Sequence, residues 1–468
     1  MKILKQSNQE VLRLLGGTQF RTKARKYRMN KYCLEHTLED GMVLIHNCFT
    51  GAEVAIRPFE YINIFTKSPC DYADFLLMNY FIVPEDYNEE EMVEFVRLRQ
   101  QKPIPSNYLD HPHKFIILTT TRCNARCFYC YELNAKNKAH MTHDTAEKVA
   151  EYIMEVIPKG HRVELNWFGG EPLFNMDVIE IICSRLASAG IDFVSSMISN
   201  SYLFDDEVVR KAVQDWRLKN IQVTFDGTEE IYNKVKNYIY KEDESPYYKV
   251  IENVKRLLQR NVTVSVRMNC DHHNAENLMD LIKELDGHFK GEGNFSMYAW
   301  PLFEIGFTRT PEEKKALYES VLAIDKLLLE LGYPMSHKMH EGIKGVHCMA
   351  DSGDAVTISP RGDLGVCEHY VDRDFIGHID NPYEKNFDII HSWREYTPKT
   401  ELCSDCPLYP ICLRMKGCPD EKSCDEYQKT YWIEHYKIDL ISNYIMSKCS
   451  CEDKCENGKD VCNNPNKN

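Results

Sequence analysis

Between Thr121 and Glu132 the chain gathers three thiols in eight residues, Cys123, Cys127 and Cys130, spaced Cys-x3-Cys-x2-Cys directly after the apolar run Lys114 to Thr120. Three closely spaced thiolates can each hold one iron of a cubane cluster and keep the fourth iron open to a small ligand. The next cysteine is Cys183, beyond a whole helix-like and strand-like segment, so no near neighbour closes that position. The alternative is a tetrahedral zinc site completed by His140 or His143. Phe128 and Tyr129, which crowd the loop, and the strand that delivers it favour an active-site position.

A second group of thiols follows: Cys348, then Cys367 closing Gly362-Asp363-Leu364-Gly365-Val366-Cys367, then Cys403-x2-Cys406-x5-Cys412-x5-Cys418-x5-Cys424. Seven cysteines at these spacings read as metal ligands, either of iron-sulfur clusters or of zinc ribbons. The 19 cysteines of this 468-residue chain are mostly clustered, which points to a reducing compartment and away from disulfides. Cys33, Cys48 and Cys70 stand apart and read as buried apolar residues. Cys449, Cys451, Cys455 and Cys462 fall in a tail, 446–468, whose Lys, Asp, Asn and Gly read as disordered.

Composition narrows the class. With 43% apolar and 27% charged residues the chain is globular, and its net charge of -14 argues against nucleic-acid binding. A basic run, Arg21, Lys23, Arg25, Lys26 and Arg28, reads as a solvated edge. Met1 to Gly17 has no apolar stretch long enough for a signal peptide, and no run approaches the ~20 apolar residues of a membrane span. A cytoplasmic enzyme with no membrane partner is expected.

From Lys114 the pattern is strand, loop and helix in repetition. Strands are expected at 114–120, 162–168, 191–199, 220–225, 262–268 and 294–300, and helices at 142–157, 175–188, 205–216, 247–260, 275–286 and 311–331. Six such units with right-handed crossovers make an α/β fold, an open, partial (β/α)6 TIM-like barrel, whose sites lie at the carboxyl ends of the strands. The chemistry falls there: the three cysteines after the first strand, Gly169-Gly170-Glu171-Pro172 after the second, Ser199-Asn200 after the third, Asp226-Gly227 after the fourth, and Arg267 and Asn269 ending the fifth. Gly169 and Gly170 would let the backbone approach a ligand closely, and Glu171 would offer a carboxylate to an α-amino group. Two glycines after a strand also make a plain turn, as does Asp226-Gly227. Residues 1–100 read as short strands at Tyr27 to His36 and Met42 to Ile56 with a turn at Thr50-Gly51, helices around Pro58 to Phe65 and Tyr72 to Leu77, a strand at Tyr80 to Pro84 and a helix from Glu89 to Arg99.

The cysteine loop, with Tyr129 just before its last thiol, and the string Trp167-Phe168-Gly169-Gly170-Glu171-Pro172 resemble the radical S-adenosylmethionine (radical SAM) superfamily. The resemblance implies that Cys123, Cys127 and Cys130 hold a [4Fe-4S] cluster whose open iron is chelated by the amino and carboxylate groups of S-adenosyl-L-methionine. One electron then cleaves the sulfonium, giving a 5'-deoxyadenosyl radical that abstracts hydrogen from substrate. It places Tyr129, Gly169, Gly170 and Glu171 at the cofactor, Ser199 and Asn200 at the ribose hydroxyls, and Asp226 near the active site. This chain has Asn-Ser after Ser199 where the family commonly has Asn-Gly. Arg267 would pair with a carboxylate of the cosubstrate or of the substrate, or form a structural salt bridge.

The seven-cysteine group resembles the SPASM extension of the same enzymes, which implies two auxiliary [4Fe-4S] clusters and three in all. Cys403, Cys406, Cys412 and Cys424 would hold the distal one, and Cys348, Cys367 and Cys418 the one nearer the barrel, with its fourth ligand unassigned. The x5 before Cys418 departs from the usual x3 and leaves Cys418 and Cys424 exchangeable. Glu368 directly follows Cys367, where sulfatase-maturing relatives carry an acidic residue, and reads as the base that accepts a substrate proton, with His369 as the alternative. A solvent-facing charge or an acceptor that steadies the cysteine loop are the plainer readings of Glu368.

Residues 1–100 resemble the winged-helix-like α+β domains (RiPP recognition elements) fused to enzymes that modify ribosomal peptides, or are a packing cap. The expected organisation is thus 1–100 peptide recognition, 110–335 partial barrel, 336–445 cysteine-rich iron-sulfur domain, and 446–468 tail. The expected partners are a precursor peptide with its leader and an electron donor such as flavodoxin or ferredoxin. The expected product is a thioether or other crosslink. A maturase of a folded enzyme, a small-molecule radical enzyme, or a non-catalytic iron-sulfur or zinc interaction protein are the alternatives.

Overall fold

The computed structural model describes residues 1–16, 26–64, 72–100, 109–130, 132, 138–240, 244–302, 308–335, 342–343, 348–370, 374–395, 397–412, 418 and 424–456. Arg21, Lys23, Arg25, Cys70 and Cys462 lie outside these, as do the side chains of Cys449, Cys451 and Cys455.

The first hundred residues form β1 (Lys2–Lys5), α1 (Gln9–Leu14), β2 (Tyr27–Met29), β3 (Cys33–Thr37), β4 (Val43–Asn47), β5 (Glu53–Ile56), α2 (Pro58–Ile64), α3 (Ala73–Met78), β6 (Ile82–Pro84) and α4 (Glu89–Gln100). A four-stranded sheet runs β1-β5-β4-β3, and β2 pairs separately with β6. The stretch read as one strand from Tyr27 to His36 is therefore two strands in two sheets. Asn30 breaks it: its side chain accepts from Tyr32 N at 3.0 Å and donates to the Tyr80 carbonyl at 3.0 Å, an Asx turn that redirects the chain.

Next come β7 (Lys114–Thr120), α5 (His143–Val156), β8 (Val163–Gly169), α6 (Met176–Ser188), β9 (Phe193–Ser199), α7 (Asp206–Gln214), β10 (Leu218–Thr224), α8 (Glu229–Lys236), α9 (Pro246–Gln259), β11 (Thr263–Cys270), α10 (Ala275–Phe289), β12 (Phe295–Pro301) and α11 (Pro311–Glu330). Each strand falls within two residues of its expected bounds. Its apolar faces leave little choice: Phe115 to Thr120 are buried throughout, as a parallel strand covered on both sides must be. Helix starts are set by side chains, with Thr142 accepting from Thr145 N, Asp205 from Val208 N, and Thr310 and Glu313 closing a capping box ahead of α11. Helix α8 had no counterpart in the expected elements.

The six parallel strands do not end the sheet. After α12 (Met349–Ser352), β13 (Ala355–Ile358) pairs in parallel with β7, Ala355 opposite Lys114 and Ile358 opposite Ile117. Antiparallel β14 (Asp363–Gly365) and β15 (Gly377–His378) follow, giving nine strands in the order β12-β11-β10-β9-β8-β7-β13-β14-β15. The boundary expected near 336 is thus not a break in the sheet. The open edge of β7 offers a ladder of unpaired N–H and C=O groups, and the chain's own β13 takes it.

After α13 (Phe387–Trp393), α14 (Glu426–Glu456) runs through residues expected to be disordered from 446. Two polar contacts pin it: buried His435 Nδ1 lies 2.8 Å from Asp325 on α11, and half-buried Asn443 donates to Glu53 on β5 at 3.3 Å. Leu440 and Tyr444 share a core with Val11, Leu44, Phe49 and Val93 of the first region and with Leu408, Tyr409 and Ile411. Among the described residues no helix is long and apolar enough to cross a membrane.

Candidate functional site

The carboxyl ends of β7 to β11 surround a cavity of about 370 Å³. Cys123, Cys127 and Cys130 line it, together with Tyr129, Gly169, Gly170, Ser199, Asn200, Arg267 and Glu368. Glu171 and Asp226 do not line it; each lies behind residues that do.

Gly169 and Gly170 serve the protein's own backbone. A Cβ on Gly169 (φ +118°) would stand 2.2 Å from the Thr120 carbonyl oxygen, and one on Gly170 2.3 Å from that of Arg122. Gly170 N donates to Thr120 O at 2.9 Å and Glu171 N to Arg122 O at 3.0 Å, so the strand end is stitched to the root of the cysteine loop. The close approach expected toward a ligand is first an approach to this loop.

Glu171 is 1% exposed. Its carboxylate accepts from Leu173 N (3.1 Å), Ser199 Oγ (2.8 Å) and Asn200 N (2.8 Å). These donors tie β8 to the end of β9. Burial pushes its carboxyl up to about 7 against the pull of those hydrogen bonds. Asn200, so held, donates to Asn124 Oδ1 at 2.7 Å, next to Cys123.

Asp226 sits behind the cavity wall. Lys236 Nζ lies 2.8 Å from it, both side chains being 2% exposed. Tyr129 OH donates to it at 2.8 Å and Asn269 Nδ2 at 3.0 Å. The carboxylate is a hub that fixes the aromatic residue of the cysteine loop. Burial alone would lower the Lys236 ammonium, but Asp226 outweighs it and holds the lysine charged. Lys236 also donates to Thr224 Oγ1 at 2.9 Å, and its carbonyl accepts from Arg126 N at 2.7 Å. It was missed because α8 was missed. The acidic first turn Glu229-Glu230 after Thr228, with lysines in the last turn, was the available signal. Arg267 donates from Nε to Asn269 Oδ1 at 3.1 Å, which orients it along the wall.

The thiols fit a cluster better than one ion. Among the described residues the only triplets of His, Cys, Asp or Glu whose ligand atoms all lie within 4.8 Å of one another are Asp271–His272–His273 and Cys367–Glu368–His369. Cys123, Cys127 and Cys130 share one wall but spread wider than a single zinc needs. His140 and His143, the zinc-completing candidates, turn elsewhere: His140 Nδ1 is 3.1 Å from Thr120 Oγ1, and His143 faces Asp177. Burial pushes the Cys123 thiol up to about 12, with the Glu171 charge adding, so deprotonation must come with the metal.

Glu368 and His369 open a short 3-10 turn and reach the same cavity from the C-terminal region. His369 Nδ1 lies 3.8 Å from Cys367 Sγ. The remaining thiols divide by packing: Cys348, Cys367 and Cys418 lie against the barrel core, whereas Cys403 and Cys406 lie against the core shared with the first hundred residues. Cys424 is exposed.

Glu132 carries the other surprise. Two residues beyond Cys130, it lines the cavity at 4% exposure. Neither carboxylate oxygen has a hydrogen-bond partner among the described residues. Burial pushes its carboxyl up to about 7, with Lys138 opposing.

A parallel sheet with a wide-set thiol triad at the carboxyl end of its first barrel strand defines the class, an enzyme of S-adenosylmethionine radical chemistry. Residues 117–285 match the family described as the Radical SAM superfamily. The chain is 24% identical over 282 residues to an uncharacterized protein of Methanocaldococcus jannaschii, covering 58% of this chain and 91% of that one. It is 23% identical to the GTP 3',8-cyclase of Clostridium perfringens, covering 54% and 80%. Its fold is similar to that of native anSMEcpe with bound AdoMet, with a TM-score of 0.52, 17% identity and coverage of 71% of this chain and 100% of that one. Residues 117–285 are thus a radical SAM domain, and the protein is an enzyme of S-adenosylmethionine radical chemistry with a [4Fe-4S] cluster.

Proposed function

We propose that this enzyme modifies a peptide, that Cys123, Cys127 and Cys130 hold its radical SAM cluster, and that the C-terminal cysteines hold two auxiliary clusters of SPASM type. The observation that carries the reading is the shared cavity: thiols from the barrel loop and Glu368 with His369 from the C-terminal region face one space. When bound, the first cluster supplies the electron that cleaves S-adenosylmethionine to a 5'-deoxyadenosyl radical. The chain's own residues do the rest. Tyr129, fixed by Asp226, Lys236 and Asn269, shapes the cysteine loop. Ser199 and Asn200, fixed by Glu171, present polar groups to the cosubstrate, and Arg267 stands where a carboxylate would be received. Glu368 accepts the proton a substrate loses after hydrogen abstraction.

The division of thiols between two cores supports two auxiliary sites, Cys348, Cys367 and Cys418 toward the barrel and Cys403, Cys406, Cys412 and Cys424 beyond it. A peptide occupant is supported by a neighbour of the same fold, native anSMEcpe solved with AdoMet and the Cp18Cys peptide, at a TM-score of 0.51. The sheet of residues 1–100 is assigned the leader, added to an edge strand. Likeness to the cyclase favours the second reading, a small-molecule substrate.

The test is anaerobic turnover of the reconstituted full chain with S-adenosylmethionine, a reductant and a cysteine-containing precursor peptide. Loss of two hydrogen atoms from the peptide, matched by 5'-deoxyadenosine, is expected. Deoxyadenosine without any peptide change, across leader-bearing candidates, moves the assignment to a small molecule. Glu368→Gln should keep iron and deoxyadenosine formation and depress modified peptide; normal product would dismiss Glu368 as the base.

A further inference from the structure

At the carboxyl end of β11 the chain turns through Asp271-His272-His273-Asn274, apart from every thiol group and unused by the chemistry above. The ligand atoms of Asp271, His272 and His273 all lie within 4.8 Å of one another. The turn is built to hold them. Asp271 N donates to Asn274 Oδ1 at 2.7 Å and Asn274 Nδ2 to Asn269 O at 3.0 Å, and the two imidazole rings have their centres 3.8 Å apart. Arg309, 6% exposed, donates to Asp271 Oδ2 at 2.8 Å and to the Leu302 carbonyl at 2.9 Å. Oδ1 is thereby left to the histidines, accepting from His273 N at 3.3 Å. A second observation points to a cation between the side chains. His272 Nδ1 is shut off from solvent and lies 2.8 Å from an Asp271 oxygen, yet it makes no hydrogen bond among the described residues. A buried ring nitrogen set against a carboxylate with no hydrogen bond between them is unfavourable, and a metal ion satisfies both at once.

We propose that Asp271, His272 and His273 form a binding site for one divalent transition ion of the zinc class, separate from the iron-sulfur thiols. The site depends neither on the peptide reading nor on the auxiliary clusters. The donor set selects the ion: two imidazole nitrogens and one carboxylate oxygen suit zinc, iron(II) or nickel(II), whereas calcium and magnesium take oxygen ligands. The spacing suits a single ion, since neighbouring ligands with bonds of ~2.0–2.1 Å stand about 3 Å apart, and His272 Nδ1 and Asp271 Oδ1 are 2.8 Å apart. A ligating carboxylate is ordinarily steadied by an outer donor, the part that Arg309 plays here. Three protein ligands leave at least one position of a tetrahedral ion to water. Asn269 and Leu302, which the turn and Arg309 tie to the site, line the cavity. An ion here would brace the strand end that carries Arg267 and Asn269.

The experiment dialyses reconstituted holoenzyme anaerobically against buffered micromolar free zinc, counts zinc and iron by mass spectrometry, and reads the zinc ligands by X-ray absorption. Wild type is compared with His273→Gln, an exposed position, and with the double variant that adds His272→Gln. Wild type should hold one more zinc per chain than the double variant, with a nitrogen and oxygen shell at ~2.0–2.1 Å. Zinc should raise the melting temperature of wild type and not that of the double variant. His273→Gln alone should weaken binding at least tenfold, no less than the loss of an outer partner costs, so the test stands even where the double variant does not fold. Iron and deoxyadenosine formation should be unchanged in both variants. Equal zinc affinity in wild type and His273→Gln overturns the proposal. So does zinc bound through sulfur alone or only in exchange for iron, and so does binding that needs millimolar zinc, which is that of an ordinary surface histidine pair. Loss of iron in the variants would put the histidines at a cluster and overturn it equally.

Discussion

The two cysteine-bearing regions are held in place by different means. At the barrel end the loop of Cys123 to Cys130 is fixed by the chain itself, through the Asp226–Lys236–Tyr129–Asn269 network, the backbone bonds to Gly170 and Glu171, and the bond from Ile239 N to Asn124 O at 2.8 Å. In the stretch from Glu401 to Cys412 the regular structure is two single 3-10 turns, and the backbone bonds are local, such as Cys406 N to Cys403 O at 3.3 Å. Its ties outward run through side chains, with Leu408, Tyr409 and Ile411 in the core shared with the first hundred residues and Tyr409 OH donating to Glu94. Arg97 on α4 donates to the carbonyls of Tyr409 and Cys412 and lies 4.6 Å from the Tyr409 ring, and Lys429 donates to Leu402 O at 3.0 Å. A site that is prefolded keeps its shape without metal, whereas a stretch of turns needs ligation to complete it.

The largest effect should come from replacing Cys123, Cys127 and Cys130 together by Ala. Deoxyadenosine formation should vanish and, with the two auxiliary clusters proposed above, iron should fall by about a third, while circular dichroism stays that of the folded chain. Retained deoxyadenosine would break the assignment of the triad. Next is Lys236→Met, which strands the Asp226 carboxylate in the interior. A loss of ~3–5 kcal/mol in chemical denaturation is expected, and adding Asp226→Asn should recover most of it. If the single variant is as stable as the parent, the network is not what fixes the loop.

A smaller, local effect is expected from Cys403→Ser with Cys406→Ser. Iron should fall by about a third, new proteolytic cuts should appear between 397 and 412, and deoxyadenosine formation should continue. Unchanged proteolysis would mean that Arg97 and the shared core suffice without metal.

The smallest effect concerns pH. Burial holds the Glu132 carboxyl at about 7 against an ordinary 4.5, so the folded chain binds this proton more tightly than the unfolded one. Its contribution is fully present below pH ~4.5, is lost as pH rises toward about 7, and is flat above. In cluster-free protein, wild type should lose up to about 3 kcal/mol more than Glu132→Gln across that window, read by urea denaturation at each pH. Parallel curves would show that the carboxylate has a partner after all.

The six barrel strands, their helices and the cysteine motif were legible because each is a local signal: apolar runs at strand length, capping residues, thiols at fixed spacing. The same locality explains the misses. Helix α8 is eight residues long, and its lysine matters only because β10 brings Asp226 beside it. That β13 extends the sheet is decided by the open edge of β7: Ala355 pairs with Lys114, 241 positions earlier, a pairing no nearby residue announces. Residue type and spacing determined that Glu132, Glu171 and Asp226 would lie near the cysteines. Which of them lines the cavity was decided by the fold, because a carboxylate's surroundings depend on the donors that packing brings to it, and those come from other strands.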